Sequence, residues 1–157
     1  MIKLVRIDHR LVHGQVAFSW TKFLDADCIM IASDNLMKDE LKMAAMRMAK
    51  PTGVKLVMKN MEDSINALNS GVTDKYKLFI LVESVEDAYT LVTQVDRIKS
   101  INVGGMKVAD DRRQIAKAVF VSDSDIEKMR ELSNRGIELE IRLVPTDKKQ
   151  NPLDLIK

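Results

Sequence analysis

Cysteine is almost absent. Cys28 is the single thiol among 157 residues, so no disulfide can form within the chain, and an intracellular setting is expected. Cys28 lies in the apolar run Cys28-Ile29-Met30-Ile31-Ala32, which reads as a buried, inert thiol. Aromatic residues make up only 4% of the chain, leaving little to stack on nucleobases. Neither sign of charge dominates: 25 Lys and Arg face 23 Asp and Glu, a net charge of +2, too weak by itself to indicate nucleic acid, and no nucleic-acid partner is expected. No stretch approaches the roughly 20 apolar residues of a membrane helix, so a membrane role is expected to come through a partner. The opening Met1-Ile2-Lys3-Leu4-Val5-Arg6-Ile7 lacks the shape of a signal peptide.

The 46% of hydrophobic residues is ordinary for a globular domain. A chain of this length buries about two-thirds of the surface that its unfolded form exposes, so no metal or disulfide staple is needed. Without linkers, repeats or low-complexity tracts, one domain over residues 1–157 is expected.

Short runs rich in Val and Ile predict strands over residues 2–7, 27–32, 54–58, 77–82 and 100–103, with a further short one at 118–121. Between them, apolar residues at helical spacing predict helices over 14–24 and 36–50, one opening at Ser64 and Ile65 and ended by Gly71, one opening at Ser84, and one over 122–134 closed by Gly136. In the second helix, Met37, Leu41, Ala44, Ala45 and Met48 share one face; with Met43 and Met46, this methionine-rich segment is expected to fill core, a partner surface being the alternative. Alternating strands and helices predict an α/β fold: an open, mostly parallel sheet with helices on both faces. Residues 137–144 alternate Ile137, Leu139, Ile141 and Leu143 with Glu138, Glu140 and Arg142, which predicts an antiparallel edge strand with one polar face. That strand and the tail Leu153-Asp154-Leu155-Ile156 either support a homodimer or pack on their own domain.

In open parallel sheets, ligands bind beyond the carboxyl ends of the strands. The loop after the first predicted strand reads Asp8-His9-Arg10-Leu11-Val12-His13-Gly14-Gln15 and holds both histidines of the chain. A neutral imidazole at His13 can attack phosphorus near neutral pH and form a phosphohistidine. The helix beginning at Gly14 offers N–H groups and a dipole that favour a phosphoryl anion, at Gly14 and Gln15. Arg10 adds a planar fork of donors, Asp8 can orient a histidine ring or hold Arg10, and Arg6 adds charge one step inside the strand. His9 and His13 are four residues apart, a zinc spacing on a helix, but they stand in a loop beside Arg10, which would repel a cation. No metal or cofactor is therefore expected. A His13 with a purely structural role, and a His9 that is exposed or structural, are the plainer alternatives. Gly104 and Gly105, after the fifth strand, are candidates to frame the site, and Asp110-Asp111-Arg112-Arg113 reads as a solvated loop or, alternatively, as a docking surface for a charged partner.

A rival reading is a non-enzymatic module on a similar sheet that binds phosphate or a nucleotide. A receiver phosphorylated on aspartate would carry an acid just after the third strand, where Lys59-Asn60 stands. A flavin module would carry a Ser/Thr-rich first loop, which is lacking here.

The string Arg6-Ile7-Asp8-His9-Arg10-Leu11-Val12-His13-Gly14-Gln15-Val16 resembles the active-site loop of enzyme IIB of the mannose/fructose/sorbose class of the bacterial sugar phosphotransferase system. The resemblance continues through Trp20, Ala49-Lys50-Pro51-Thr52-Gly53-Val54 and Asn102-Val103-Gly104-Gly105-Met106. It implies a protein-phosphohistidine–sugar phosphotransferase in which His13 accepts a phosphoryl group on Nδ1 from enzyme IIA. The group then passes to a sugar delivered by the membrane subunits IIC and IID. Arg10 matches the family's phosphoryl-contacting arginine and Asp8 an acidic residue of the same loop. His9 stands where the family often has a second Asp. The resemblance further implies a cytoplasmic carrier that meets the inner face of the membrane through IIC and IID.

Overall fold

The computed structural model describes residues 1–156. Six strands form the main sheet: β1 (Ile2–Asp8), β2 (Cys28–Ala32), β3 (Lys55–Lys59), β4 (Leu78–Val82), β5 (Ser100–Gly105) and β8 (Glu138–Ile141). Their order is β3-β2-β4-β1-β5-β8, and every pairing is parallel. β2 and β4 read as unbroken apolar runs because both of their faces are covered. A separate antiparallel pair, β6 (Arg113–Ala116) and β7 (Val119–Val121), forms a small hairpin, so the loop expected at residues 110–113 enters a strand at its last residue.

Helix α1 (Gly14–Leu24) and helix α2 (Glu40–Ala49) cover one face, packing Ala17, Trp20 and Met46 on Ile29, Ile31, Phe79 and Leu81. Helices α3 (Met61–Ser70), α4 (Val85–Gln94) and α5 (Asp123–Asn134) cover the other, over Val5, Ile7, Met30, Ile80 and Val103. Caps set the helix starts. The Asn60 side chain accepts the Asp63 N–H and starts α3 earlier than the expected Ser64. Asp39 accepts the Lys42 N–H and divides the expected helix over 36–50 into a 3-10 turn, Leu36–Lys38, and α2. Ser122 and Asp125 cap α5 reciprocally.

Two expectations are corrected. β8 is an edge strand, but it runs parallel to β5, with Ser100 opposite Glu138 and Val103 opposite Ile141. The chain crosses over through α5 before returning to the sheet, and a crossover connection delivers a parallel strand. Its polar face is solvated only at its start: Glu138 is exposed, but Glu140 is buried against Arg142 and Lys149. The tail packs Leu153, Leu155 and Ile156 on the domain's own core, and Gln150 bridges Ile141 along the free edge.

The second correction concerns the methionines. Met46 is buried, but Met48 is 88% exposed and Leu41 83%. Two residues turn an α-helix by about 200°, so Met46 and Met48 face opposite ways. The stripe expected in the core is the outward one.

Candidate active site in the β1–α1 loop

β1 and β5 are neighbours, so the two glycines after Val103 lie beside the loop that follows Asp8. Two backbone bonds tie down the start of the loop. The His9 N–H donates to the Gly105 carbonyl at 3.0 Å, and the Leu11 N–H to the Asp8 carbonyl at 2.9 Å. Leu11 adopts φ 59°, a left-handed conformation costing about 1–2 kcal/mol for a residue with a Cβ. Leu11 and Val12 are buried in the core below, and this burial holds the conformation in place. Gly14, at φ 43°, then turns the chain into α1.

Asp8 is the hub and is fully buried. Its Oδ1 accepts the Arg10 backbone N–H at 3.0 Å, and the Arg10 Nε lies 3.7 Å away. Its Oδ2 meets His13 Nε2 at 2.8 Å and accepts from Arg6 Nη2 at 3.3 Å. Burial alone would raise the Asp8 pKa. The bonds from His13 and the Arg10 N–H, with the Arg6 charge, outweigh it and hold the carboxyl below its ordinary value. Asp8 is thus ionised near neutral pH and can only accept, so Nε2 of His13 carries the proton. In the neutral ring the lone pair then lies on Nδ1.

His13 is the N-cap residue of α1 without a capping side-chain bond. The first intrahelical bond runs from the Ala17 N–H to the His13 carbonyl, which leaves the N–H groups of Gly14, Gln15 and Val16 without intrahelical partners. Those donors and the half-exposed Arg10 side chain surround a histidine that is 20% exposed. This arrangement suits a dianionic group held on the ring.

Arg6 lies beneath. It is 1% exposed, and its donors go to Asn102 Oδ1 at 2.6 Å, the carbonyls of Arg142 and Leu143, and Asp8. Burial lowers its pKa, and the Asp8 charge opposes that shift. Arg6 meets the loop through Asp8. Gly104 makes room for it, since a Cβ there would stand 2.1 Å from the guanidinium carbon. A Cβ on Gly105 would stand 3.2 Å from Asp8 Oδ1. Among the described residues no three His, Cys, Asp or Glu side chains converge as metal ligands.

Against this geometry, a family model described as "PTS system sorbose subfamily IIB component" matches residues 2–157. The chain belongs to that family. It is 35% identical to the PTS system sorbose-specific EIIB component of Klebsiella pneumoniae over 99% of this chain and 94% of that one. It is 36% identical to the PTS system mannose-specific EIIAB component of Escherichia coli K12, over 99% of this chain and 48% of that one. The crystal structure of the IIBSor domain of the sorbose permease from Klebsiella pneumoniae superposes with a TM-score of 0.94 at 34% identity, covering 99% of this chain and 95% of that one. As a IIB component, the chain is a phosphotransferase that acts in sugar uptake.

Within this IIB fold, the residues that the sequence proposes for the site converge: His13, Asp8, Arg10 and Arg6 connect through one carboxylate, with Gly105 packed against it and Gly104 against the Arg6 guanidinium. The His9 side chain makes no bond to that carboxylate and helps to line a cleft of about 650 Å³ with Arg10, Lys42, Glu83, Asp87 and Arg112. Sequence reasoning missed Asn102 and Arg142. Arg142 stacks its guanidinium 5.0 Å from the centre of the buried Trp20 ring and lends its carbonyl to Arg6. The available signal was three charged residues in a strand whose other face is apolar, next to a buried tryptophan.

Proposed function

We propose that this IIB chain is a phosphocarrier in which Nδ1 of His13 accepts a phosphoryl group from the phosphohistidine of enzyme IIA and passes it to a sugar held by IIC and IID. The observation that carries the reading is the His13 Nε2 to Asp8 contact of 2.8 Å, which leaves Nδ1 as the nucleophile. The partner rests on relationship: the mannose-specific relative is named EIIAB, and this chain spans 48% of it.

In the first transfer, the Nδ1 lone pair forms the new N–P bond while the donor's N–P bond breaks. The ring becomes cationic with its Nε2 proton in place, and Asp8 stabilises that cation without taking the proton. In the second transfer, a sugar hydroxyl oxygen forms the P–O bond and releases its proton, and the electron pair of the broken N–P bond returns to Nδ1. Arg10 and the N–H groups at Gly14 and Gln15 offset charge on the phosphoryl oxygens in both steps. Arg6 holds Asp8. Both partners must reach the same half-open loop, so they dock in turn. The protein works in the cytoplasm, at the inner face of the membrane where IIC and IID present the sugar.

The test is to mix the protein with phosphorylated IIA and locate phosphate by mass spectrometry. An acid-labile, base-stable phosphate on His13, absent from His13→Ala and discharged by sugar with membranes carrying IIC and IID, is expected. Equal labelling of His13→Ala would overturn the reading.

A further inference from the structure

The outward stripe of α2 has no cover. Leu41 and Met48 are 83% and 88% exposed, Ala44 and Ala45 between them are exposed, and Met37 of the preceding 3-10 turn is 37% exposed. Positions 41, 44, 45 and 48 make one helical face. α1 lies on the same side of the sheet and adds Phe18, 51% exposed. Phe18 lines a groove of about 240 Å³ whose far wall is Pro51, Thr52 and Val54, in the loop that leaves α2. Among the described residues, none of the exposed large hydrophobic side chains lies on α3, α4 or α5.

Charge divides the molecule in the same way. α1, the 3-10 turn and α2 carry Lys22, Lys38, Lys42 and Arg47 around the apolar stripe, with Asp39 and Glu40 as their only acids before the next loop. Each helix of the opposite layer opens on a pair of acids: Glu62 and Asp63, Glu86 and Asp87, Asp123 and Asp125. α3 and α4 contain no Lys or Arg. Among the described residues Lys38 and Arg47 have no ion-pair partner.

We propose that the α1/α2 face seats directly on an anionic lipid surface, with Leu41, Met48 and Phe18 entering the headgroup boundary. An apolar stripe flanked by Lys and Arg is the composition of an interfacial helix. Anionic lipid attracts the basic layer and repels the acidic one, so only one face can settle. A stripe of flexible side chains suits a soft surface. The seating also orients the site. β1 and β2 run parallel on either side of β4, so the His13 loop and the 3-10 turn leave the same end of the sheet. The phosphocarrier loop then stands at the edge of the seated face. This lipid contact goes beyond docking through IIC and IID, and it can be measured without any phosphoryl transfer, so the two readings can fail separately.

The experiment is co-sedimentation of the purified protein with protein-free vesicles of phosphatidylglycerol and phosphatidylcholine, against phosphatidylcholine alone, at rising salt. Wild type should bind the anionic vesicles, release with salt and ignore the neutral ones. Leu41→Glu with Met48→Glu should weaken binding at least tenfold. Lys38→Gln with Arg47→Gln should weaken it roughly 30-fold, from the loss of two cations near the surface. Both double variants should keep the circular dichroism spectrum of wild type, which reports that they fold, and should accept phosphate from IIA wherever wild type does. The proposal is overturned if wild type ignores anionic vesicles or if the variants bind as wild type does. It is equally overturned if folded variants fail to accept phosphate from IIA, which would make the stripe the seat of that protein.

Discussion

Asn in place of Asp8 alters the site at its hub with almost no change in shape. One carboxylate oxygen becomes an NH2, and both orientations of the amide place donor against donor. With the amide oxygen towards His13, the NH2 faces the Arg10 N–H, which Oδ1 now accepts at 3.0 Å. With the NH2 towards His13, it faces Nε2 at 2.8 Å and Arg6 Nη2 at 3.3 Å. That second orientation favours the tautomer with the proton on Nδ1, which removes the nucleophilic lone pair. A charge-assisted hydrogen bond contributes about 1.5–3 kcal/mol. If that stabilisation is felt by the cationic ring of the transition state, its loss slows transfer about 10- to 150-fold. Breaking a buried ion pair costs about 3–5 kcal/mol when the remaining charge has nothing else. Arg6 keeps Asn102 and two carbonyls, so a loss of about 2–3 kcal/mol in folding stability is expected. Quenched-flow transfer from phosphorylated IIA measures the first quantity and urea unfolding the second. An Asp8→Asn protein that transfers at the wild-type rate would refute the assignment of Asp8 as the group that sets the His13 tautomer.

Three further outcomes follow from the same geometry. Arg10→Ala should slow transfer by about 10²-fold, as for loss of one oxyanion donor, with Arg10→Lys between it and wild type because charge remains but the fork is lost; single-turnover rates decide. Gly104→Ala should lower stability by about 3 kcal/mol or more, read from urea midpoints, because its Cβ would stand 2.1 Å from the Arg6 guanidinium carbon and force it off Asp8. Asp87 beside the cleft has its pKa raised from 3.8 to about 6 by burial, then by Glu83, Asp34 and Glu86. A raised acid opposes folding only once it ionises, so the penalty is absent below the unfolded value and grows as pH rises through the folded one. Asp87→Asn should therefore stabilise the protein by about 1 kcal/mol at pH 7, a figure reduced for its partial exposure, and change little near pH 3; unfolding at the two pH values checks it.

The strands and the site loop were legible because their signals are local. β2 and β4 are continuous apolar runs, and Asp8, Arg10, His13 and Gly14 lie within seven residues of one another. What was illegible depends on contacts distant in sequence. Residues 138–142 alternate charge as a solvated edge would, yet Glu140 and Arg142 are buried together because Trp20 and Asn102 pack on that face. The stripe of α2 has core composition and helical spacing, and only the placement of Met46 against the sheet shows which side turns inward. The direction of β8 depends on the crossover through α5, which period-two alternation does not encode. Gly104 carries no sign in the sequence of the arginine, 98 positions earlier, that occupies the space beside it.

The most direct test of the account is nitrogen and phosphorus NMR of histidine-labelled protein before and after transfer from IIA. Before transfer, neutral His13 should carry its proton on Nε2. Afterwards phosphorus should couple to Nδ1 of the same ring, with the Nε2 proton retained against Asp8. Phosphorus coupled to Nε2, or found on His9, would contradict the account.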